Sequence, residues 1–274
     1  MTLVAHDLGL AYDRRQVVEG LDLTVPEGRV TVVIGANGCG KSTLLRGLAR
    51  LLRPSHGSVT LDGEELWSIS PRRLARMVGL LPQQPVAPEG ITVADLVGRG
   101  RYPHQGVFQR WGDDDRAVVA HALAVTGTAD LAERRVEELS GGQRQRVWIA
   151  MALAQEPRIL LLDEPTTYLD IAHQVEVLDL LADLNRERGT TIVMVLHDLN
   201  LAARYADHLV VMREGRIVHE GAPEKVLDAG SVREAFGLEA MVVPDPVTGG
   251  PLVVPLSKAH PTAQAVDASA GKEG

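Results

Sequence analysis

An α/β fold, with helices packed on a largely parallel sheet, is what this 274-residue chain predicts. Three observations carry the reading. Residues 30–34 (Val-Thr-Val-Val-Ile), 159–162 (Ile-Leu-Leu-Leu) and 191–196 (Thr-Ile-Val-Met-Val-Leu) are short apolar runs, the pattern of strands buried on both faces of a parallel sheet. Segments of helical period lie between them, so β and α elements alternate. Hydrophobic residues make up 45% of the chain against 23% charged, enough apolar material to bury a sizeable core.

The elements follow in order. After the strand at 30–34, residues 41–52 carry helix-spaced leucines and stop before Pro54, as proline requires. From about 84 to 140 no strand-like run of four occurs, and Leu96, Val97, Val118, Val119, Leu123, Val125 and Leu131 recur at helical spacing. This stretch reads as a helical insertion into the α/β core. An apolar helix over 147–154 leads to the strand at 159–162, and helix-spaced residues at 174–188 lead to the strand at 191–196. Leu209 to Met212 and Arg216 to Val218 read as a hairpin turning at Glu214-Gly215. Residues 257–274 are small and polar with few apolar anchors, the composition of a disordered tail.

Charge and composition narrow the function. The net charge of −8 argues against a nucleic-acid binder working by bulk basic charge. Cys39 is the single cysteine, so no intrachain disulfide forms. The first residues lack the basic and apolar regions of a signal peptide. The longest apolar run, 147–154, falls far short of the ~18 residues a membrane span needs.

Residues 35–42, Gly-Ala-Asn-Gly-Cys-Gly-Lys-Ser, follow a predicted strand and open a predicted helix. They fit the phosphate-loop pattern G-x-x-x-x-G-K-[ST] in the context it demands. Gly35, Gly38 and Gly40 let the backbone around Asn37 and Cys39 fold into a concavity of N–H groups, reinforced by the helix dipole. Lys41 supplies a point charge for the β- and γ-phosphates, Ser42 a hydroxyl for Mg²⁺, and Thr43 reaches toward the α-phosphate. The strand at 159–162 ends in Asp163 and Glu164. Ligands of open parallel sheets sit at the carboxyl ends of strands, which puts both carboxylates beside the phosphates. Asp163 is the candidate Mg²⁺ ligand, directly or through water, and Glu164 the candidate general base for an attacking water.

Residues 139–146, Leu-Ser-Gly-Gly-Gln-Arg-Gln-Arg, stand just before the apolar helix. As chemistry, Ser140, Gly141, Gly142 and Gln143 make a helix N-terminus with a hydroxyl and two glycines, a second anion-binding device. They also resemble the signature motif of ATP-binding cassette (ABC) proteins, and with the two phosphate motifs the resemblance covers nearly the whole chain in the expected order. It implies a P-loop NTPase (RecA-like) core with a parallel sheet, an antiparallel N-terminal β subdomain and an inserted α-helical subdomain, together one ATP-binding domain over 1–256. It places Tyr12 at the adenine-stacking aromatic, Gln83 at the Q-loop amide near Mg²⁺, Asp170 in the D-loop and His197 at the switch histidine. Without the resemblance, Tyr12 is a surface aromatic, Gln83 a solvated loop amide and His197 a packed histidine. His104 and His173 read as structural or surface residues, and Cys39 as a replacement for a small loop residue.

The resemblance implies ATP and Mg²⁺ as cofactors and a second copy of the chain as partner. Each ATP is then held between the 35–42 loop of one copy and Ser140–Gln143 of the other. Residues 98–105, with Phe108, Arg110 and Trp111, further resemble the iron-siderophore import branch. So do residues 165–171 with Tyr168, residues 196–200 with Arg204, Tyr205 and Ala206, and residues 245–256. That branch implies integral-membrane permease subunits, indirectly a substrate-binding protein, and a peripheral place on the cytoplasmic face of the cell membrane. A groove between the Gln83 loop and the helical insertion, including residues 99–104 with Arg101 as its test position, is the expected permease contact, with a solvated arginine face as the alternative. Haem or cobalamin import, and a soluble non-transport cassette ATPase, stay open as alternatives.

Overall fold

The computed structural model describes residues 1–105, 112–167 and 169–256. Phe108, Arg110, Trp111, Tyr168 and the 257–274 tail therefore lie outside the described residues.

Two sheets enclose a helix at the N-terminal side. Strands β1 (Leu3–Tyr12), β2 (Arg15–Val25), β4 (His56–Leu61) and β5 (Glu64–Glu65) form an antiparallel sheet in the order β2-β1-β4-β5. The central sheet has six strands, β3 (Val30–Gly35), β6 (Val78–Leu81), β7 (Ile159–Asp163), β8 (Thr191–Val195), β9 (His208–Arg213) and β10 (Arg216–Gly221), ordered β10-β9-β3-β8-β7-β6. All its pairings are parallel except β10 on β9. That hairpin turns at Glu214 and Gly215, both at positive φ (50° and 80°), the conformation a tight primed turn needs.

Alternation along the central strands divides the core. Val32 and Ile34 of β3 and Leu160 and Leu162 of β7 face one apolar cluster, while Val33, Ile159 and Leu161 face a second. The second cluster is shared with the antiparallel sheet and with helix α1 (Lys41–Leu48), whose Leu44, Leu45 and Leu48 are fully buried. Helix α1 is shorter than its leucine spacing predicts. Arg50 takes a left-handed φ of 60°, and the amides of Leu51 and Leu52 both turn back to the Arg46 carbonyl, closing the helix four residues early.

The first cluster is covered by helices. A short α2 (Pro71–Ala75) precedes β6, and α3 (Val93–Gly98) and α4 (Asp113–Val125) pack on α5 (Gly141–Ala154). Helix α6 (Ile171–Arg188) lies between β7 and β8 in sequence and ends at Gly189 in the left-handed conformation. Helix α7 (Leu199–Tyr205), then α8 (Pro223–Val226) and α9 (Ala229–Phe236), bring the chain to a hairpin of β11 (Ala240–Pro244) and β12 (Pro251–Pro255) that lies against α7. Among the described residues no helix is long and apolar enough to cross a membrane.

Candidate active site at the phosphate loop

The loop between β3 and α1 needs glycine for two separate reasons. Gly35 is the register partner of Met212 on β9, and a Cβ there would stand 2.2 Å from the Met212 carbonyl oxygen. Gly40 caps α1 at φ 108°, a backbone conformation L side chains rarely adopt. The β9–β10 turn buttresses the loop from below, since Gly215 N–H donates to the Cys39 carbonyl at 2.9 Å. No side chain caps the N-terminus of α1 and no acidic residue occupies its first turn. Its leading amides are free for an anion. Lys41 is 5% exposed, and its ammonium donates to the carbonyls of Gly35 (2.8 Å) and Ala36 (3.1 Å) along the loop.

These residues line a cavity of about 360 Å³ together with side chains from three distant elements. Asn37, Gly38, Gly40, Lys41, Ser42 and Thr43 supply one wall, and Gln83, Glu164 and His197 the opposite one. The strand ends explain the convergence: Gln83 follows β6, Glu164 follows β7 and His197 follows β8, all at the same carboxyl edge of the parallel sheet. Val17 from β2 also lines the cavity.

Two adjacent carboxylates have opposite electrostatics: Glu164 lines the cavity, and Asp163 lies buried behind Ser42. Burial pushes the Asp163 carboxyl up; a hydrogen bond from Ser42 Oγ (2.8 Å) pulls it back, and the neighbouring charge of Glu164 adds to the rise. Burial also pushes Glu164 up, but it is outweighed by donors: Thr167 Oγ1 at 2.9 Å, His197 Nε2 at 2.5 Å and Gln83 Nε2 at 2.6 Å. Glu164 is thereby held below the usual carboxylate range and ionised. Its backbone has φ 54°, an uncommon conformation for a non-glycine residue and one that concentrates at functional sites.

The remaining expected residues gather elsewhere. Ser140 caps α5, its Oγ accepting from Gln143 N–H (3.3 Å) while Gln143 Oε1 accepts from Ser140 N–H (3.1 Å). Asp170 caps α6, and its carboxylate is held low by the His173 amide (2.9 Å) and then its ring (Nδ1, 2.7 Å). The His173 ring lies against Gly142, where a Cβ would come within 3.1 Å of it. Asp170 and the Ser140–Gln143 turn are thus joined to each other, and neither lines the phosphate cavity. Tyr12 also stands outside its lining, half-exposed, with its hydroxyl accepting from Arg46 of α1 at 2.9 Å. The Cys39 side chain points into the core, where burial pushes its thiol up.

The structure corrects one expectation and adds two residues. Arg101 is 6% exposed, its guanidinium bound to Asp115 (2.9 Å), Glu156 (2.7 Å) and the Ala154 carbonyl (2.9 Å). His104 bonds the Gln155 carbonyl at 2.9 Å. Arg101 is taken up by internal contacts and is not available to a partner helix, and His104 is half-buried; of residues 99–104, Arg99 and Tyr102 are exposed. Thr167 and Val17 join the site unannounced. Thr167 had one signal, a hydroxyl three residues beyond Glu164; Val17 had none.

A family model described as ABC transporter matches residues 18–167. The ferric enterobactin transport ATP-binding protein of Escherichia coli is 52% identical over 260 residues, covering 95% of this chain and 96% of that protein. An ABC transporter described as of metal-chelate type, in an inward-facing conformation, superposes with a TM-score of 0.82 at 31% identity, covering 94% of this chain and 98% of its own. A dimeric bacterial ABC transporter cassette superposes with a TM-score of 0.72 at 28% identity, over 80% of this chain and 98% of its own. A family match that spans the phosphate loop and the paired carboxylates, and a relative matched nearly end to end, agree with the geometry: the chain belongs to the ABC transporter family, as one of its ATP-hydrolysing subunits.

Proposed function

We propose that this chain energises the uptake of a ferric siderophore of the enterobactin kind, working as a homodimer at the cytoplasmic face of the cell membrane. The observation that carries the mechanism is the separation of two anion-binding devices in one chain. The phosphate loop faces Gln83, Glu164 and His197, while the Ser140 turn and Asp170 share a surface outside that cavity. A head-to-tail pair sets the turn of each copy over the phosphates of the other, closing the site and excluding water.

The residues fit their ligands. The capless N-terminus of α1, with Lys41 beside it, suits a triphosphate. Ser42 Oγ and Asp163 Oδ1 lie 2.8 Å apart, hard oxygen donors of the kind Mg²⁺ takes, and a cation relieves the burial that pushes Asp163 up. Gln83 spends its amide N–H on Glu164, leaving its oxygen for the same ion. Mg²⁺ held there neutralises charge on the phosphates. Lys41 leaves the Gly35 and Ala36 carbonyls for the β- and γ-phosphates. Glu164, ionised and an acceptor only, orients a water and takes its proton, and His197, bonded to Glu164 and lining the same cavity, is the group that would sense the γ-phosphate.

A groove of about 370 Å³ lined by Leu51, Leu74, Val78 and Leu80 supports a permease contact. Leu51 is 66% exposed, and β6, which passes beneath the groove, ends two residues before Gln83. A permease helix seated there reaches the catalytic amide through one strand, and the permease anchors the chain at the membrane.

The siderophore assignment rests on the near-complete match to the enterobactin ATP-binding protein. Two measurements test the proposal. With Glu164→Gln, MgATP should convert the protein to a stable dimer with hydrolysis reduced at least ~10²-fold; a monomer, or hydrolysis at the parental rate, refutes the mechanism. A strain lacking this gene should regain uptake of labelled ferric enterobactin from the parental gene and not from Lys41→Ala; uptake indifferent to the gene refutes the substrate class.

A further inference from the structure

Two segments singled out in the sequence, residues 198–200 with 204–206 and residues 245–256, are left unused by the mechanism above. The fold brings them together behind His197. Helix α7 starts two residues after His197, capped by Asp198, whose carboxylate accepts from the amides of Asn200 and Leu201 at 2.8 Å. With seven residues it is far too short to hold its shape alone. It is held by its surroundings: Ala202 is fully buried in the core, and Tyr205 Oη donates to Asp179 of α6 at 2.7 Å.

The C-terminal hairpin supplies a tether near each end. At the end beside His197, the Asn200 side-chain amide docks on the backbone of β12, its Oδ1 accepting from Val253 N–H (2.7 Å) and its Nδ2 donating to Val253 C=O (3.2 Å). A primary amide that takes both backbone groups of one residue fixes its own plane as well as its position. At the other end Arg204 donates to Asp245 at 2.8 Å. Asp245 is itself 6% exposed, and it organises the β11–β12 turn through Val247 N–H (2.8 Å), Gly250 C=O (2.7 Å) and Gly249 N–H (2.8 Å). Val253 is 3% exposed and belongs to the core cluster that also holds Ala202.

We infer that the β11–β12 hairpin is a positioning clamp for His197, acting through Asn200 and Arg204, and so sets the rate of ATP hydrolysis from outside the nucleotide site. The inference rests on the reading of His197 given above. His197 touches Glu164 from an exposed position, so its aim depends on the helix that follows it. None of the clamp residues lines the phosphate cavity, so ATP binding is left alone.

Steady-state ATPase measurements on the full-length chain test this. Asn200→Ala should lower kcat about tenfold, the scale of a misplaced catalytic group, with KM for ATP moved less than about twofold. Arg204→Ala should behave alike, and Arg204→Lys, which keeps a charged donor toward Asp245, should restore most of the rate. In a His197→Ala background Asn200→Ala should cost nothing further, because the group it aims is gone. Should Asn200→Ala fail to fold, Asn200→Asp keeps the acceptor for Val253 N–H, loses the donor, and carries the same comparison. A kcat within about twofold of parental for Asn200→Ala, or an undiminished loss in the His197→Ala background, overturns the clamp while leaving His197 in its role. A parental kcat for His197→Ala overturns the reading of His197 and the clamp with it.

Discussion

Arg101 offers a perturbation whose size follows from its contacts. Replacing it by alanine removes three hydrogen bonds at once, to Asp115, Glu156 and the Ala154 carbonyl. The three partners are not equally exposed. Glu156 has a side chain 45% exposed and rehydrates, so its share is close to zero. The Ala154 carbonyl is buried beside Arg101 and costs about 1–2 kcal/mol if left without a donor. Asp115 has a side chain only 15% exposed; breaking a buried pair costs about 3–5 kcal/mol as a ceiling, and the N-terminus of α4 recovers part of it. A net loss of about 3 kcal/mol results, or roughly 6–12 °C in melting temperature for a chain of this length. The pH dependence adds a signature. The hydrogen bond from Arg101 holds Asp115 below its ordinary 3.8. A depressed carboxyl contributes stability that is complete above the unfolded value and is lost as pH falls through the folded one. The melting difference between parental protein and Arg101→Ala should therefore be full at pH 7 and shrink below about pH 4. Scanning calorimetry across that range decides the matter. A difference under about 2 °C at neutral pH, or one that persists undiminished in strong acid, refutes the buried-pair account. The first of these outcomes, combined with lost uptake, would return Arg101 to a docking role.

Two further predictions concern the phosphate loop and helix α7. Gly35→Ala puts a methyl 2.2 Å from the Met212 carbonyl oxygen, so either the β3–β9 pairing or the loop must shift; nucleotide affinity should fall at least about tenfold, while Gly38→Ala, which adds backbone strain at φ 78° but no clash within 4 Å, should fall less. Titration with a fluorescent nucleotide separates them, and equal losses would contradict the steric argument. Tyr205 is pushed up to about 12 by burial and by its bond to Asp179. Tyr205→Phe should cost about 1 kcal/mol at neutral pH. A raised phenol stabilises the fold fully below the ordinary value of 10.0 and loses that contribution as pH rises through 12. Ultraviolet difference titration of the parental protein against Tyr205→Phe shows where this phenol ionises; ionisation near 10 would refute the assignment.

The parts of the fold legible in the sequence were those whose cause is local. Strands β3, β7 and β8 are buried on both faces, so burial alone spells them in continuous apolar residues. Strand β6 was hidden by its length of four and by Gly79, whose missing side chain makes room for Pro157, where a Cβ would come within 3.0 Å. The β11–β12 hairpin is bounded by prolines and gains its stability from α7, some forty residues earlier, so no window around it could show it. At the site, the phosphate loop, Asp163 and Glu164 were readable because their chemistry demands particular residues at fixed spacing. Val17 enters the cavity only because β2 pairs with β1 and crosses the loop. Arg101 read as part of an exposed docking groove because its partners lie 14, 53 and 55 residues away, beyond the reach of any periodicity.

The three donors on Glu164 arrive from three different parts of the molecule, and this bears on how hydrolysis is governed. Gln83 hangs from β6, beside the groove lined by Leu51 and Leu74. Thr167 lies in the turn that leads to Asp170 and the Ser140 surface. His197 heads α7, which the C-terminal hairpin holds. Each donor lowers the carboxyl against the same opposing burial. Withdrawing any one moves Glu164 back toward the protonated form and frees it to swing from its strained backbone position. The groove beside β6, the surface beside Asp170 and the hairpin behind α7 are therefore each linked to one carboxylate through a separate hydrogen bond. A base held by a single donor would answer to a single input. Held by three, its aim depends on β6, the Thr167 turn and α7 together, so a displacement of any one of these elements reaches the same carboxylate.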